Sequence, residues 1–405
     1  MNGQRQLRVI DDEADRLASW VRALKAVPQL SDWSVEGMEE GPLLEAIEIL
    51  EQRRLDSRKR PLMGVFEPEC EFDRANILVI DYELASLTSS GSITGESIAY
   101  LARAYSQTGY ILVLNELGEN PFDLTLTGNL DSYSDLVLGS RQLGNLGLWA
   151  EPFQGFRPWS WPIIPREVER LEQLVAALVS RLDEPVLTTL ALDRLPLPRS
   201  TRAFLEGSAL AETTTFLEFV KSGAGGLRRN DAPMNLEAAA RIAASRLGRW
   251  LESRLLSAQD LIVDAPHLVS RVPSLLMGDP ATVDAWDAVA TLVDPAKGWS
   301  AGSVAASSYP QSQWLTRPAW YWPAVSRDSS LPEVSSPWTA LEPNVGFCED
   351  LSAFLPLDSV KEFVADVNGP FARRFVLDRE SECADRFPQT RDVSYRPAVR
   401  FALSR

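Results

Sequence analysis

The sequence predicts an α/β fold: a doubly wound parallel sheet in the N-terminal part, followed by a mainly helical C-terminal region. Two observations carry this expectation. Fully apolar strands at 77–80 and 110–114 alternate with helix-patterned segments, the arrangement of a parallel sheet covered on both faces. In addition, Asp11, Asp12, Asp81 and Asn115 all stand directly after apolar strands, at the carboxyl ends where such a sheet binds its ligand.

Leu7, Val9 and Ile10 make a short strand that runs into Asp11, Asp12 and Glu13. A helix follows over 14–27, where Leu17, Trp20, Val21, Leu24 and Val27 recur at helical spacing. Residues 30–75 are mixed and contain an insertion, with a helix expected over 43–55 and a basic loop over 53–60. The strand 77–80 ends at Asp81, a Ser/Gly-rich loop covers 87–94, and Gly95 opens a helix through Tyr105. After the strand 110–114, a Gly/Asn/Leu-rich stretch leads to a Pro/Trp cluster that reads as a rigid boundary. The first domain is therefore expected to span 1–160. The remainder, 161–405, divides into 161–265 and 266–405. It holds expected helices over 166–182, within 200–225, over 235–258 and over 357–367, and strand-like stretches at 371–377 and 400–403.

Composition narrows the chemistry. The 405 residues carry 56 acids against 40 bases, a formal charge of −16. A chain so charged repels polyphosphate, since nucleic-acid affinity comes mainly from Lys and Arg, and this opposes a DNA-binding output region. The single histidine, His267, leaves little for histidine triads or multi-histidine metal sites, and in its loop-like surroundings it reads as structural. Three widely spaced cysteines (Cys70, Cys348, Cys383) indicate neither a disulfide framework nor a zinc site. Cys348, flanked by acids, reads as an unreactive thiol. No apolar run is long enough to span a membrane and no signal core opens the chain, so a cytoplasmic location is expected.

Three carboxylates at strand ends can hold magnesium, which prefers hard oxygen ligands, and aspartate is an accepted nucleophile toward phosphoryl groups. The motifs VIDDE (9–13), LVIDYEL (78–84), Gly95 with its helix, ILVLN (111–115) and Glu151-Pro152-Phe153 follow one another in order. Together they resemble the receiver domain of response regulators, over residues 5–160 only. The resemblance implies a flavodoxin-like sheet, with Asp81 as phosphoacceptor and Mg2+ held by Asp11, Asp12, Asp81 and the backbone carbonyl of Glu83. Two departures stand out. Asn115 takes the place of the family's switch Ser or Thr, and Glu151 takes the place of its lysine after the fifth strand. A glutamate there repels phosphoryl oxygens, at an order of 4 kcal/mol for an adverse charge about 4 Å away. Arg141 and Arg157 are alternative sources of the missing cation.

The longer match, including GSRQLGNLGLWAEPF (139–153), resembles divergent receivers of bacterial conflict systems. These accompany ATPases of the histidine-kinase and Hsp90 superfamily. The resemblance thus implies a signalling regulator or adaptor in an antiphage or stress module, with such an ATPase as its protein partner. An effector enzyme gated by the receiver is the alternative, but no catalytic constellation stands out after residue 165.

Other readings stay open beside these. Asp11 and Asp12 also suit the capping of the following helix, Asp81 a solvated loop, and Asn115 a turn-stabilising role. Arg241, Arg246, Arg249 and Arg254 suit a nucleic-acid-facing surface less well, at this overall charge, than a solvated helix face or a site for an acidic partner surface. The tryptophan-rich stretch 299–338 suits a core or an interface.

Overall fold

The computed structural model describes residues 4–84, 93–115, 132–149, 163–190, 199–205, 210–222, 231–251, 318–331, 353–362 and 375–386, with shorter pieces between 192 and 348. The chain divides into two compact units. The first comprises Met1–Phe153, Pro162–Leu187 and Arg202–Arg249, and the second comprises Gln154–Trp161, Thr188–Thr201 and Trp250–Arg405.

The first unit is built on a five-stranded sheet, and the sequence explains its order of burial. Strands β1 (Gln6–Ile10), β3 (Ile77–Asp81) and β4 (Tyr110–Leu114) are the apolar runs noted above, and β3 and β4 are buried at every position. Continuous apolar character suits strands covered on both faces, and these three occupy the centre. The edges are β2 (Ser34–Gly37) and β5 (Leu136–Leu138), giving the order β2-β1-β3-β4-β5 with every pairing parallel. This is the flavodoxin-like order, and the chain reverses its direction of travel between β1 and β3.

Helix α1 (Ala14–Lys25) buries Trp20 and Leu24, one stripe of an otherwise polar surface. Helix α2 runs Glu40–Lys59, well beyond the 43–55 expected, and the basic loop placed at 53–60 is its last turns. Basic side chains did not break the helix because they meet acids. Arg53 is buried and donates to both carboxylate oxygens of Asp73 (3.0 and 2.8 Å) and to the Tyr105 carbonyl (2.9 Å). Arg58 pairs with Asp231 at 2.5 Å. The short α3 (Glu71–Arg74) leads into β3. Helix α4 (Gly95–Tyr105) is buried from Ile98 to Tyr105, and its N-cap Thr94 accepts from the Ser97 amide.

After β5 come the four-residue α5 (Leu146–Trp149) and the amphipathic α6 (Ile164–Leu178), which presents Val168, Leu171, Leu174, Val175 and Leu178 inward. Short helices α7 (Val186–Thr189), α8 (Arg199–Arg202) and α9 (Phe216–Lys221) precede α10 (Leu236–Trp250). Thus a largely helical stretch follows the sheet, as the fold class predicts.

Helix α10 corrects the reading of its arginines. Arg241, Arg246 and Arg249 do not form a solvated or partner-facing surface; all three are buried. Arg241 donates to the Ser106 carbonyl (2.8 Å), Arg246 to that of Ser132 (2.8 Å) and Arg249 to that of Ser134 (2.7 Å). Between them Ser245 donates to Asp135, which also pairs with the buried Arg103 and accepts from the Ile111 amide (2.7 Å). Loop carbonyls buried before β4 and β5 need donors, and long guanidinium side chains supply them across the gap. Arg254 lies outside the described residues.

The second unit contains two small sheets. In one, β6 (Ile262–Asp264), β7 (Thr291–Asp294), β8 (Gly298–Ala301) and β9 (Pro318–Tyr321) pair antiparallel in the order β6-β9-β7-β8. Trp286 and Trp320 are buried in its core with Val263, Leu268, Val325 and Leu331, and the Trp320 indole donates to the Trp286 carbonyl (2.9 Å). For Trp320, within the stretch 299–338, the core reading holds. In the other sheet, β10 (Val345–Cys348), β11 (Ala353–Pro356), β12 (Val360–Glu362) and β13 (Phe375–Leu377) follow the order β11-β10-β13-β12. The helix expected over 357–367 is not formed at its start: Leu357–Ser359 is a 3-10 turn, and Val360–Glu362 pairs antiparallel with β13. Burial of Val360 beside Cys348, Phe375 and Leu377 overrides the local helical spacing. Among the described residues, no helix is long and apolar enough to cross a membrane.

Candidate functional site

The site forms where the sheet order reverses. β1 delivers Asp11 and Asp12, while Asp81 is the last residue of the neighbouring β3. The three carboxylates offer oxygens within 4.8 Å of one another, close enough to hold one metal ion. Asp11 and Asp81 are buried.

Two local features fix Asp81. The Tyr82 amide donates to the Leu114 carbonyl (2.8 Å), which carries the ladder past the end of β3. The other is Gly95: a Cβ there would lie 2.2 Å from the Asp81 carbonyl oxygen, so only glycine lets the start of α4 come this close. The Gly95 amide in turn donates to the Tyr82 carbonyl (3.0 Å). Glu83, expected to offer its carbonyl to a metal, forms an isolated antiparallel bridge with Thr94.

The residue that sequence reasoning missed is Arg16, on the first turn of α1. Its guanidinium forks onto Asp11, with Nε 2.9 Å from Oδ2 and Nη2 3.0 Å from Oδ1. The same Nη2 lies 3.2 Å from Asp12 Oδ1 and 2.9 Å from Asp81 Oδ2. One nitrogen therefore touches an oxygen of every carboxylate in the cluster. The signal was present in the spacing, since Arg16 stands four positions after Asp12, the separation that brings side chains together on a helix. Of the alternative cation sources that the sequence offers, Arg157 and the Arg141 side chain lie outside the described residues.

The capping reading of the acid pair is met only in part. Asp11 Oδ1 accepts from the Glu13 amide (2.7 Å), but the N-cap residue of α1 is Glu13, whose side chain caps nothing. Asp11 thus ties down the entry to the helix and holds Arg16 at the same time.

Electrostatics single out Asp81. Burial pushes its carboxyl up to about 7, Arg16 opposes that rise, and the neighbouring charges of Asp11 and Asp12 reinforce it. The Arg16 guanidinium is held still more firmly in its charged form, chiefly through its bond to Asp11. Three packed carboxylates face one guanidinium, so negative charge is in excess, and a proton on Asp81 lessens that excess.

Asn115 follows β4 as expected, and its backbone amide donates to the Leu138 carbonyl (2.8 Å). The fifth strand is Leu136–Leu138, paired with Leu112–Leu114, and Gly139 follows it. Glu151 comes beyond α5 and lies outside the described residues, as does His267. Cys70 and Cys348 are buried, and burial pushes the Cys70 thiol up to about 11, which leaves it unreactive at neutral pH.

Comparison with protein-family models, with curated proteins and with solved structures gives no match for this chain. What can be said of function therefore rests on the geometry of this site.

Proposed function

We propose that the first unit is a regulatory module of the receiver kind, acting as a signalling regulator or adaptor rather than as an enzyme with turnover. The observation that carries this reading is the cluster Asp11, Asp12 and Asp81 at the reversal point of a parallel 2-1-3-4-5 sheet. Asp81 is the phosphoacceptor in this reading. Its carboxylate oxygen attacks phosphorus, the bond from phosphorus to the donor atom breaks (nitrogen in a phosphohistidine, oxygen in acetyl phosphate), and the leaving group departs with that electron pair. Mg2+ on the three carboxylates supplies the charge that lets an anionic nucleophile meet an anionic phosphoryl group. The partner that fits is a protein donor of phosphoryl groups, an ATPase of the histidine-kinase or Hsp90 type, in a bacterial defence or stress module.

A receiver works by biasing a two-state equilibrium that a partner reads. Here the reading body is in the same chain: α10 is docked against the loops that precede β4 and β5, with its arginines on their carbonyls. That favours a role in which the module's state is passed within the protein.

Intact-mass measurement after incubation with acetyl phosphate and Mg2+, on wild type and Asp81→Asn, tests the proposal. A phosphoryl gain in wild type alone is the expected result. No gain in either protein removes phosphoryl transfer from the reading and leaves a pseudo-receiver whose partner docks without it. A gain of equal size in Asp81→Asn refutes the assignment of Asp81.

A further inference from the structure

The fold implies a divalent metal at the three carboxylates, and the donor set suits a hard cation. The position at its centre does not. Arg16 Nη2 lies 3.0 Å from Asp11, 3.2 Å from Asp12 and 2.9 Å from Asp81, the spot equidistant from the oxygens that a shared ion needs. A metal ion with oxygen ligands at about 2.0–2.6 Å cannot occupy that spot together with the nitrogen. We infer that Arg16 is the resident cation of this site, a tethered guanidinium that a divalent metal must displace before it can bind.

The physical argument runs through geometry and tethering. Arg16 makes charge-assisted bonds to all three carboxylates, and the fork onto Asp11 is bidentate, the strongest form of such a contact. The guanidinium also lies 5.8 Å from the Trp20 ring centroid, a cation–π contact along the same helix. Being covalently attached, it competes at a fixed and high local concentration. Yet it is not locked in, because its side chain is about one third exposed, whereas Asp11 is fully enclosed. The side chain therefore has an outward path and Asp11 has none, so metal binding requires only that Arg16 swing away from the surface of the cluster. In this arrangement the metal and Arg16 are alternatives. The site is switched by which cation it holds.

This inference rests on reading the carboxylates as a receiver-type cation site, and the test separates the two. Mn2+ is titrated into the full chain, with the free ion followed by electron paramagnetic resonance, for wild type, Arg16→Gln and Arg16→Lys. Arg16→Gln is expected to bind Mn2+ at least about tenfold more tightly than wild type, and adding Asp81→Asn to it should cancel most of that gain. Arg16→Lys keeps the charge but loses the fork, so a gain of about threefold is expected; it serves as the measurement if the Gln variant does not fold. Affinities within twofold of wild type in the folded variants overturn the inference, as does weaker binding. If Arg16→Gln binds Mn2+ more tightly but no protein takes up a phosphoryl group, the resident-cation inference stands and phosphoryl transfer fails. If wild type is phosphorylated while Arg16 variants bind Mn2+ as it does, the reverse holds.

Discussion

Asp81→Asn should change how stability depends on pH, and by a predictable amount. The folded-state carboxyl sits at about 7 against an ordinary value of 3.8. Because the folded value is raised, the unfolded chain releases this proton first as pH rises. Stability is therefore lost progressively from about pH 4 to pH 7 and levels off above that. Integrating the linkage for these two values, ionisation of Asp81 costs about 2 kcal/mol by pH 5 and about 4 kcal/mol by pH 8. Asparagine has nearly the same shape, keeps an oxygen for Arg16 to donate to, and does not titrate. The stability of Asp81→Asn relative to wild type should thus rise by about 2–3 kcal/mol between pH 5 and pH 8. Urea denaturation in EDTA at several pH values, read through hydrogen-exchange protection of the Leu7–Ile10 and Ile77–Ile80 amides, isolates the first unit from the second. Parallel pH curves for the two proteins would refute the argument. A wild type that gains on the variant as pH rises would show that the pull of Arg16 outweighs burial at Asp81.

The other expectations concern the framework. Gly95→Ala puts a Cβ against the Asp81 carbonyl and should destabilise the first unit by about 2 kcal/mol or more, seen as a lower urea midpoint. Arg103→Met leaves Asp135 buried without its cation and should cost about 3–5 kcal/mol by the same measurement. Arg246→Gln and Arg249→Gln withdraw donors from buried carbonyls and should each lower the urea midpoint, at about 1–3 kcal/mol; unchanged stability would refute their structural role. Cys70 should resist alkylation by iodoacetamide at pH 8 in the folded chain and react on unfolding, as followed by peptide mass spectrometry.

The parts of the fold that were legible in the sequence are those where one local signal decides. Helix α4 and strand β4 fall at Gly95–Tyr105 and Tyr110–Leu114 as expected, because an apolar run between breakers leaves no competing structure. Strand β2 was not foreseen: its sequence, SVEG, has one buried residue and takes strand form only by pairing with β1 at the edge. The three residues of β5 carry too short a pattern to fix its place in the sequence. The end of α2 was misread for a different reason. A run of Arg and Lys looks like a solvated loop until Asp73 and Asp231, distant in sequence, are known to be beside it. The site shows the same division. Its acids were legible because they follow strands, whereas Arg16 is part of the site only through the fold that brings Asp81 alongside Asp11 and Asp12.

Helix α4 gives these separate observations a common physical setting. Its first residue, Gly95, abuts the Asp81 carbonyl at the acidic cluster. Midway along it, the Tyr100 hydroxyl donates to Asp231, in the segment just before α10. Farther on, Arg103 holds Asp135, which Ser245 of α10 also holds, and the chain leaving the helix offers the Ser106 carbonyl to Arg241. A buried helix of eleven residues is stiff, and close packing leaves it little room to absorb a displacement locally. The residues it meets along its length, Asp231 and Asp135, are buried acids that each accept from several donors. Removing the Tyr100 hydroxyl takes away one of these contacts without touching the carboxylates, so Tyr100→Phe asks whether α4 links the acidic cluster to α10 separately from the chemistry of the cluster.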